Sequence, residues 1–594
     1  MQLVTADNAG LPKRLGDFLT LTDGLDYAAR GRTGYNIFSS RGEPAAALGY
    51  AELRDRALDL ALKLTAAGLP RESRVALIAE TTADFFVFFF GCQYAGVIPM
   101  PLPLSLSVGS HEAYVRRLHS MLLSGTPAAA MASPDLIHLL KEAAQQAQIP
   151  LVGTAEEFYA LPTAGGCLRP FGENDPSYIQ YSSGSTTEPR GVLVTQHAIN
   201  ANAHAISRHL ALGPGDRATS WLPLYHDMGL VGFCITPMLA QVTVDYIPTA
   251  TFALRPRAWL KLISDHGGTI SFSPAFGYEL CVRRAAKEGV CFDLRHWRTA
   301  GVGGEMVRPD VLNRFADLFA GHGFDRRAFL PCYGLAEATL AVSFSPLGQG
   351  VEVDTVDREA YEQAGIATPV SACETGGRQR SFVFCGQALP GYAIAICDDA
   401  GSRLPDRAIG RVLVSGPSLM QGYFRDPDRS RAALTDDGWL DTGDMGYLVE
   451  GRLVITGRRK DMIIAHGRNI WPQDLEWSAE HLDGIKIGSA AAFSVGDNDE
   501  EERIVMVVEC YSAGPEQQDE LRRRIFATIQ KSAGVHCEIV LVAPRSLPYT
   551  SSGKLSRAEA RRQFLAGALK PREGDHGDRP AVEPAPPPAL AAGA

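Results

Sequence analysis

The sequence predicts an α/β protein with a large N-terminal part of several subdomains and a small α+β part at its C-terminal end. Three observations predict it. Short β-branched runs alternate with helical segments, glycine-rich turns recur up to about residue 455, and near Gly457 the charged segment GRRKD opens a shorter unit. Alternation of that kind is the mark of an α/β sheet. At 594 residues the chain can bury several cores without disulfides or metals.

In order, RVALIAE (74–80) reads as a strand and is followed by an apolar helix from Thr82. Residues 85–104 are apolar enough to raise the question of a membrane span. Gln93, Gly91, Gly96 and the prolines at 99, 101 and 103 answer it in favour of a buried helix running through a turn into a strand. AAAMAS (128–133), the helical DLIHLLKEAAQQAQ (135–148) and the strand-like PLVGT continue the alternation. In the small unit, RIVMVVEC (503–510) and CEIVLVA (537–543) flank a helix over 519–534. Between about 345 and 381 a turn-rich stretch holds one expected helix, VDREAYEQAG (356–365). DNDEEE (497–502) reads as a solvated loop, and the Pro- and Ala-rich tail 571–594 as disordered. No internal repeat is present.

Charge excludes some functions. With 57 Lys and Arg against 67 Asp and Glu, the formal charge is −10, which argues against a general nucleic-acid or anionic-membrane binder. The eleven cysteines are scattered without a C-x-x-C pair, as in a reduced cytoplasmic enzyme. The start, MQLVTADNAGLPKRLGDF, lacks the basic-then-apolar pattern of a secretory signal.

The stretch richest in chemistry is YIQYSSGSTTEPRGVLVTQHAI (178–199). A strand enters a loop of Ser182, Ser183, Gly184, Ser185, Thr186 and Thr187, and P-R-G leads to a second strand and a helix. Small hydroxyl residues around a glycine form a nest of donors suited to phosphate oxygens. The loop is not a Walker A sequence, which needs G-x-x-x-x-G-K-[ST].

This loop resembles the phosphate-binding signature of the adenylate-forming superfamily of acyl-CoA synthetases, luciferases and peptide-synthetase adenylation domains. The rest of that signature follows in order: SWLPLYHDMGL (220–230), PCYGLAEATL (331–340), DTGDMGYL (441–448), GRRKDMIIAHGRN (457–469) and YTSSGKLSR (549–557). The resemblance covers residues 10–565. It implies a large adenylate-forming domain over 1–456 and a small mobile domain over 457–570. It also implies ATP and Mg²⁺ as cofactors.

Residue roles follow from the same resemblance. Lys554 would stand between the substrate carboxylate and the α-phosphate, and His226 would gate the substrate tunnel. Glu337, with Thr186, would hold Mg²⁺, a hard cation that takes few protein oxygens. Asp444 would accept both ribose hydroxyls, supported by Arg458. Gly304, Glu305, Tyr333, Gly334, Leu335 and Ala336 would complete the nucleotide site. Met228, Phe272 and Phe276 would line the acyl pocket, and Lys460 would be the hinge.

Within the superfamily, SSGST, WLPLYHDMGL, SPAFGYELCVRR and RRKDMIIAHGRNIWPQDLE resemble the fatty acyl-AMP ligases. That branch carries an insertion at the position of 345–381, which braces its small domain. A fatty acid would be activated to acyl-AMP and passed to the phosphopantetheine of a separate acyl carrier protein. Arg190 stands in place of the usual lysine, and Val302 and Met306 depart from the usual wording at the pocket. The rival readings are an acyl-CoA synthetase, an aryl- or amino-acid-adenylating enzyme, and a degenerate nucleotide-binding regulator.

Overall fold

The computed structural model describes every residue except 1, 9, 105–110, 183–189, 286–290, 371–378, 466–467, 497–502, 512–513, 551–553 and 572–594. The expected phosphate loop from Ser183 to Thr187, the acidic loop 497–502 and nearly all of the tail therefore lie outside the described residues. Two compact units result, Met1–Trp471 with Tyr549–Ser556, and Pro472–Pro548 with Arg557–Ala594.

The division at Trp471 falls downstream of the expected 456/457 boundary, for a reason of packing. Ile463–Ala465 and Arg468–Ile470 form a small antiparallel hairpin. Trp471 then closes a core with Val356, Tyr361, Phe382, Tyr447 and Val454, all of the first unit.

Within the first unit, a four-stranded parallel sheet runs in the order Ile98–Leu102, Arg74–Ile78, Ala129–Met131, Leu151–Gly153. The helix Ala83–Ala95 packs there with every residue from Phe85 onward buried, which is why it reads as apolar all round. Thr82 caps its start by accepting the Phe85 N–H, and Gly96 ends it at a left-handed φ of 67°. The sequence therefore runs, as expected, from buried helix to strand. No described helix is long and apolar enough to cross a membrane.

The larger sheet has fourteen described strands. Its parallel half contains Arg217–Ser220, Ile270–Ser273, Thr299–Val302 and Phe329–Gly334. From Phe329–Gly334 onward the pairing turns antiparallel, through Ala341–Phe344 and Gln379–Ala388 to Arg452–Arg458 and Leu440–Val449. In the expected insertion, Val353–Asp357 is a strand paired with Gln379–Ala388, and the helix is a short π-helix over Ala360–Ala364. The expected helix 356–365 thus begins later, because its first residues are taken up by that strand.

The second unit is a three-stranded sheet, Ala490–Val495, Arg503–Glu509 and Cys537–Val542, antiparallel then parallel. The parallel pair needs a crossover, and Pro515–Ala533 supplies it, burying Leu521, Ile525, Ile529 and Ala533 along one stripe.

Candidate active site

Ligands of open parallel sheets bind beyond the carboxyl ends of the strands, and four strand ends of the first unit converge there. Arg217–Ser220 leads to His226, Asp227 and Met228. Ile270–Ser273 carries Phe272, Thr299–Val302 leads to Gly304 and Glu305, and Phe329–Gly334 leads through Leu335 and Ala336 to Glu337. One cavity of about 800 Å³ opens among them, lined also by Arg458, Lys460 and Lys554.

Lys554 belongs to the segment Tyr549–Ser556 that packs with the first unit. The Lys554 carbonyl accepts the Thr550 N–H at 2.7 Å. Burial pushes the lysine below its ordinary value of 10.5, while Asp227, Glu305 and Asp444 oppose that shift and Arg458 adds to it. Burial alone would raise Asp227, but His226 and Lys554 hold it below the usual carboxylate range. The His226 Nδ1 lies 2.5 Å from the Asp227 carboxylate, which fixes the ring. Glu305 is raised by burial, although it accepts the Phe276 N–H at 2.9 Å. Gly304 has a φ of 78°, and a Cβ there would sit 3.0 Å from Met228 Cε and 3.7 Å from Lys554 Nζ. A side chain at 304 would crowd the lysine and strain the backbone.

Near the same lysine, Tyr333 donates to Asp444 Oδ2 at 2.7 Å, and Arg458 Nε lies 3.3 Å from Asp444 Oδ1. Asp444 is the leading cause that raises Arg458. Asp444 and Glu305 stand behind the wall, not among its lining residues. Glu337 faces the cavity, and its Oε1 accepts the Tyr423 hydroxyl at 2.9 Å. A carboxylate oxygen here is a hard donor of the kind Mg²⁺ takes, so the residue fits the metal. Its expected partner Thr186 lies outside the described residues.

The apolar arm of the cavity includes Met228 and Phe272. Phe272 packs edge-on against Phe233 and leans on Phe344. Gly301 makes room for it, since a Cβ there would come within 2.0 Å of the ring. Phe276 corrects the expectation: it is not a lining residue, and its ring packs edge-on against Trp221 at 5.8 Å. The sequence reading missed Ile206, Leu210 and Leu212 of the arm, which follow the core periodicity of the helix Gln196–His209 and the turn after it. It also missed Tyr423, whose signal is only an aromatic in GYF, and Thr236.

A site with a half-buried lysine, a carboxylate-bearing nucleotide end and an apolar arm, built on the strand ends of an α/β sheet, defines an adenylate-forming ligase. Residues 26–424 match the AMP-binding enzyme family, and the chain belongs to it. A Caulobacter vibrioides protein provisionally named an acyl-CoA synthetase is 44% identical over 569 residues, covering 95% of this chain and 98% of its own. The medium-chain-fatty-acid–[acyl-carrier-protein] ligase JamA of Moorena producens is 32% identical, over 93% of this chain and 96% of its own. Among solved structures, a chain from work on the fatty acyl-adenylate ligases of E. coli and L. pneumophila is 44% identical. It superposes with a TM-score of 0.89, over 94% of this chain and all of that one.

Proposed function

We propose that the protein activates a fatty acid as acyl-AMP and then passes the acyl group to the phosphopantetheine thiol of a separate acyl carrier protein. The observation that carries the reading is one continuous cavity with Lys554 and Glu337 at a polar end and Phe272 in an apolar arm. The fatty acyl-adenylate ligase likeness and JamA support the two steps respectively.

In the first step a substrate carboxylate oxygen attacks the α-phosphorus of ATP, and pyrophosphate leaves. Both reactants are anions, so fixed positive charge lowers the barrier. Lys554, as an ammonium, neutralises charge between carboxylate and α-phosphate. Glu337, with Thr186, would hold Mg²⁺, which supplies charge neutralisation at the phosphates. Asp444 and Arg458 orient the ribose, and His226 guards the entrance to the apolar arm. In the second step the carrier thiol displaces AMP and gives up its proton. Lys460 is the pivot about which the small domain turns between the steps.

Acids from butyric to stearic, tested for pyrophosphate release with the product identified by mass, decide the reading. Release with a fatty acid and recovery of acyl-AMP support it; release only with aryl or amino acids overturns it. A second reading, acyl-CoA synthetase, is favoured by the name of the Caulobacter relative.

A further inference from the structure

Among the residues lining the apolar arm is a threonine whose hydroxyl has no partner. Thr236 lines the cavity and is 2% exposed, and its Oγ1 makes no hydrogen bond. A threonine before a proline at a helix start ordinarily caps the helix by accepting a backbone N–H, and within a helix it returns its hydroxyl to a carbonyl one turn back. Thr236 precedes Pro237 and opens the helix Thr236–Leu239, yet does neither. Leaving a buried hydroxyl unsatisfied costs stability, so its retention needs an account.

The backbone supplies part of one. Leu230–Ile235 is a π-helix, and the Thr236 N–H reaches the Val231 carbonyl, five residues back. Short π segments inside helices recur at functional sites. Met228, Gly232, Phe233 and Thr236 all line the cavity, so one face of this helical run follows the arm inward from the lysine. At about 1.5 Å per residue, the run from Met228 to Thr236 spans roughly 12 Å. With carbon–carbon bonds of about 1.5 Å, that depth corresponds to roughly eight to ten carbons from the carboxylate. Another polar atom among the lining residues, the Cys332 thiol, is already turned to the Val302 carbonyl at 3.4 Å.

We propose that Thr236 is a specificity-determining residue whose hydroxyl hydrogen-bonds a hydroxyl or keto group carried in the middle of the fatty acyl chain. The substrate class is then a mid-chain oxygenated fatty acid. This rests on the fatty-acid reading above and names the substrate more closely.

The test compares hexadecanoic acid with its isomers hydroxylated at roughly carbons eight to ten in ATP–pyrophosphate exchange, using the intact protein, Thr236→Val and Thr236→Ser. The best isomer should exceed the plain acid in kcat/KM by about tenfold, the worth of one well-formed hydrogen bond in an apolar site. Thr236→Val should abolish that preference and Thr236→Ser should keep it, the preference being the ratio of kcat/KM for the isomer to that for the plain acid within each variant. Thermal melting of Thr236→Val should be no lower than that of the intact protein, since only an unpartnered hydroxyl is lost. Exchange with the plain acid but no preference for any isomer overturns the assignment alone, as does a preference that survives Thr236→Val. Exchange with no fatty acid overturns the fatty-acid reading and this inference together.

Discussion

Asp444 and Arg458 face each other across the antiparallel strands Leu440–Val449 and Arg452–Arg458, in register at the Cα level and joined by their side chains at 3.3 Å. Tyr333, from the last strand of the parallel half, completes the group by donating to the same carboxylate. The two halves of the sheet therefore meet at one acceptor-only group, suited to a pair of ribose hydroxyls. Asp444→Asn keeps the shape and removes the charge. The expected outcome is a KM for ATP raised about ten- to a hundredfold, the worth of a hydrogen bond to a charged group. ATP–pyrophosphate exchange measures it, and an unchanged KM would remove Asp444 from the nucleotide site.

Lys554→Ala should lose adenylation by about two to three orders of magnitude. Removing one preorganised group that stabilises transition-state charge costs about 3–4 kcal/mol. Transfer from supplied acyl-AMP to a carrier thiol should survive, because the proposed role of the lysine belongs to the first step. Normal pyrophosphate release by the variant would sink the assignment.

The same lysine sets a pH dependence. Its proposed role requires the ammonium form, and burial has lowered its folded value below 10.5. The charge is therefore complete below that lowered value and lost as pH rises through it. The alkaline limb of kcat/KM for adenylation should fall at a pH below 10.5, and it reports the free enzyme. Lys554→Arg, which stays charged throughout, should lose that limb whatever its rate. A limb unmoved in the arginine variant would belong to another group.

Much of this site was legible because adenylation concentrates its polar residues in short runs at strand ends. His226, Tyr333 to Glu337, Arg458 and Lys554 could be singled out one by one, and the fold brings all of them to one cavity. What could not be read is what depends on pairing in space. The register that sets Asp444 opposite Arg458 is a property of two strands, not of either motif. Ile206 and Leu210 look like ordinary core residues of the helix Gln196–His209 until the sheet leaves a channel beside them. Phe276 shows the converse: an aromatic in a suggestive motif was drawn onto Trp221 instead. The boundary shift to Trp471 has the same origin, since a charged GRRKD segment gives no sign that the hairpin after it stays with the first unit.

Lys460 lies in the single 3₁₀ turn Arg459–Asp461, directly after the strand that carries Arg458. A short turn between two strands is where a few φ/ψ changes can redirect a chain. Lys460→Pro fixes φ. Adenylation should persist while transfer to the carrier thiol falls by at least about tenfold, since each step needs its own arrangement. Single-turnover assays of the two half-reactions separate the effects, and a variant with both intact would show that residue 460 is not the pivot.

The insertion bears on the choice between carrier protein and CoA. Its buried Glu362 is held by Arg358 at 2.6 Å and lies 3.5 Å from Arg468, on the strand just before Trp471. Val356 and Tyr361 of the same segment share a core with Trp471. The insertion is thus fastened to the last residues of the first unit, the stretch of chain that follows Lys460. A fastened stretch turns less freely than a loose one, and by resemblance such bracing disfavours the rearrangement that opens a CoA channel. With saturating CoA, the intact protein should accumulate acyl-AMP and form little acyl-CoA, whereas a phosphopantetheinylated carrier should discharge the adenylate. Arg468→Ala removes one fastening and leaves Glu362 paired with Arg358, so the fold should hold. It should raise acyl-CoA formation several-fold without changing pyrophosphate release. Deleting the segment is a poorer test, because the exposed core around Trp471 would itself impair folding. Efficient acyl-CoA formation by the intact protein would overturn the carrier reading in favour of the synthetase.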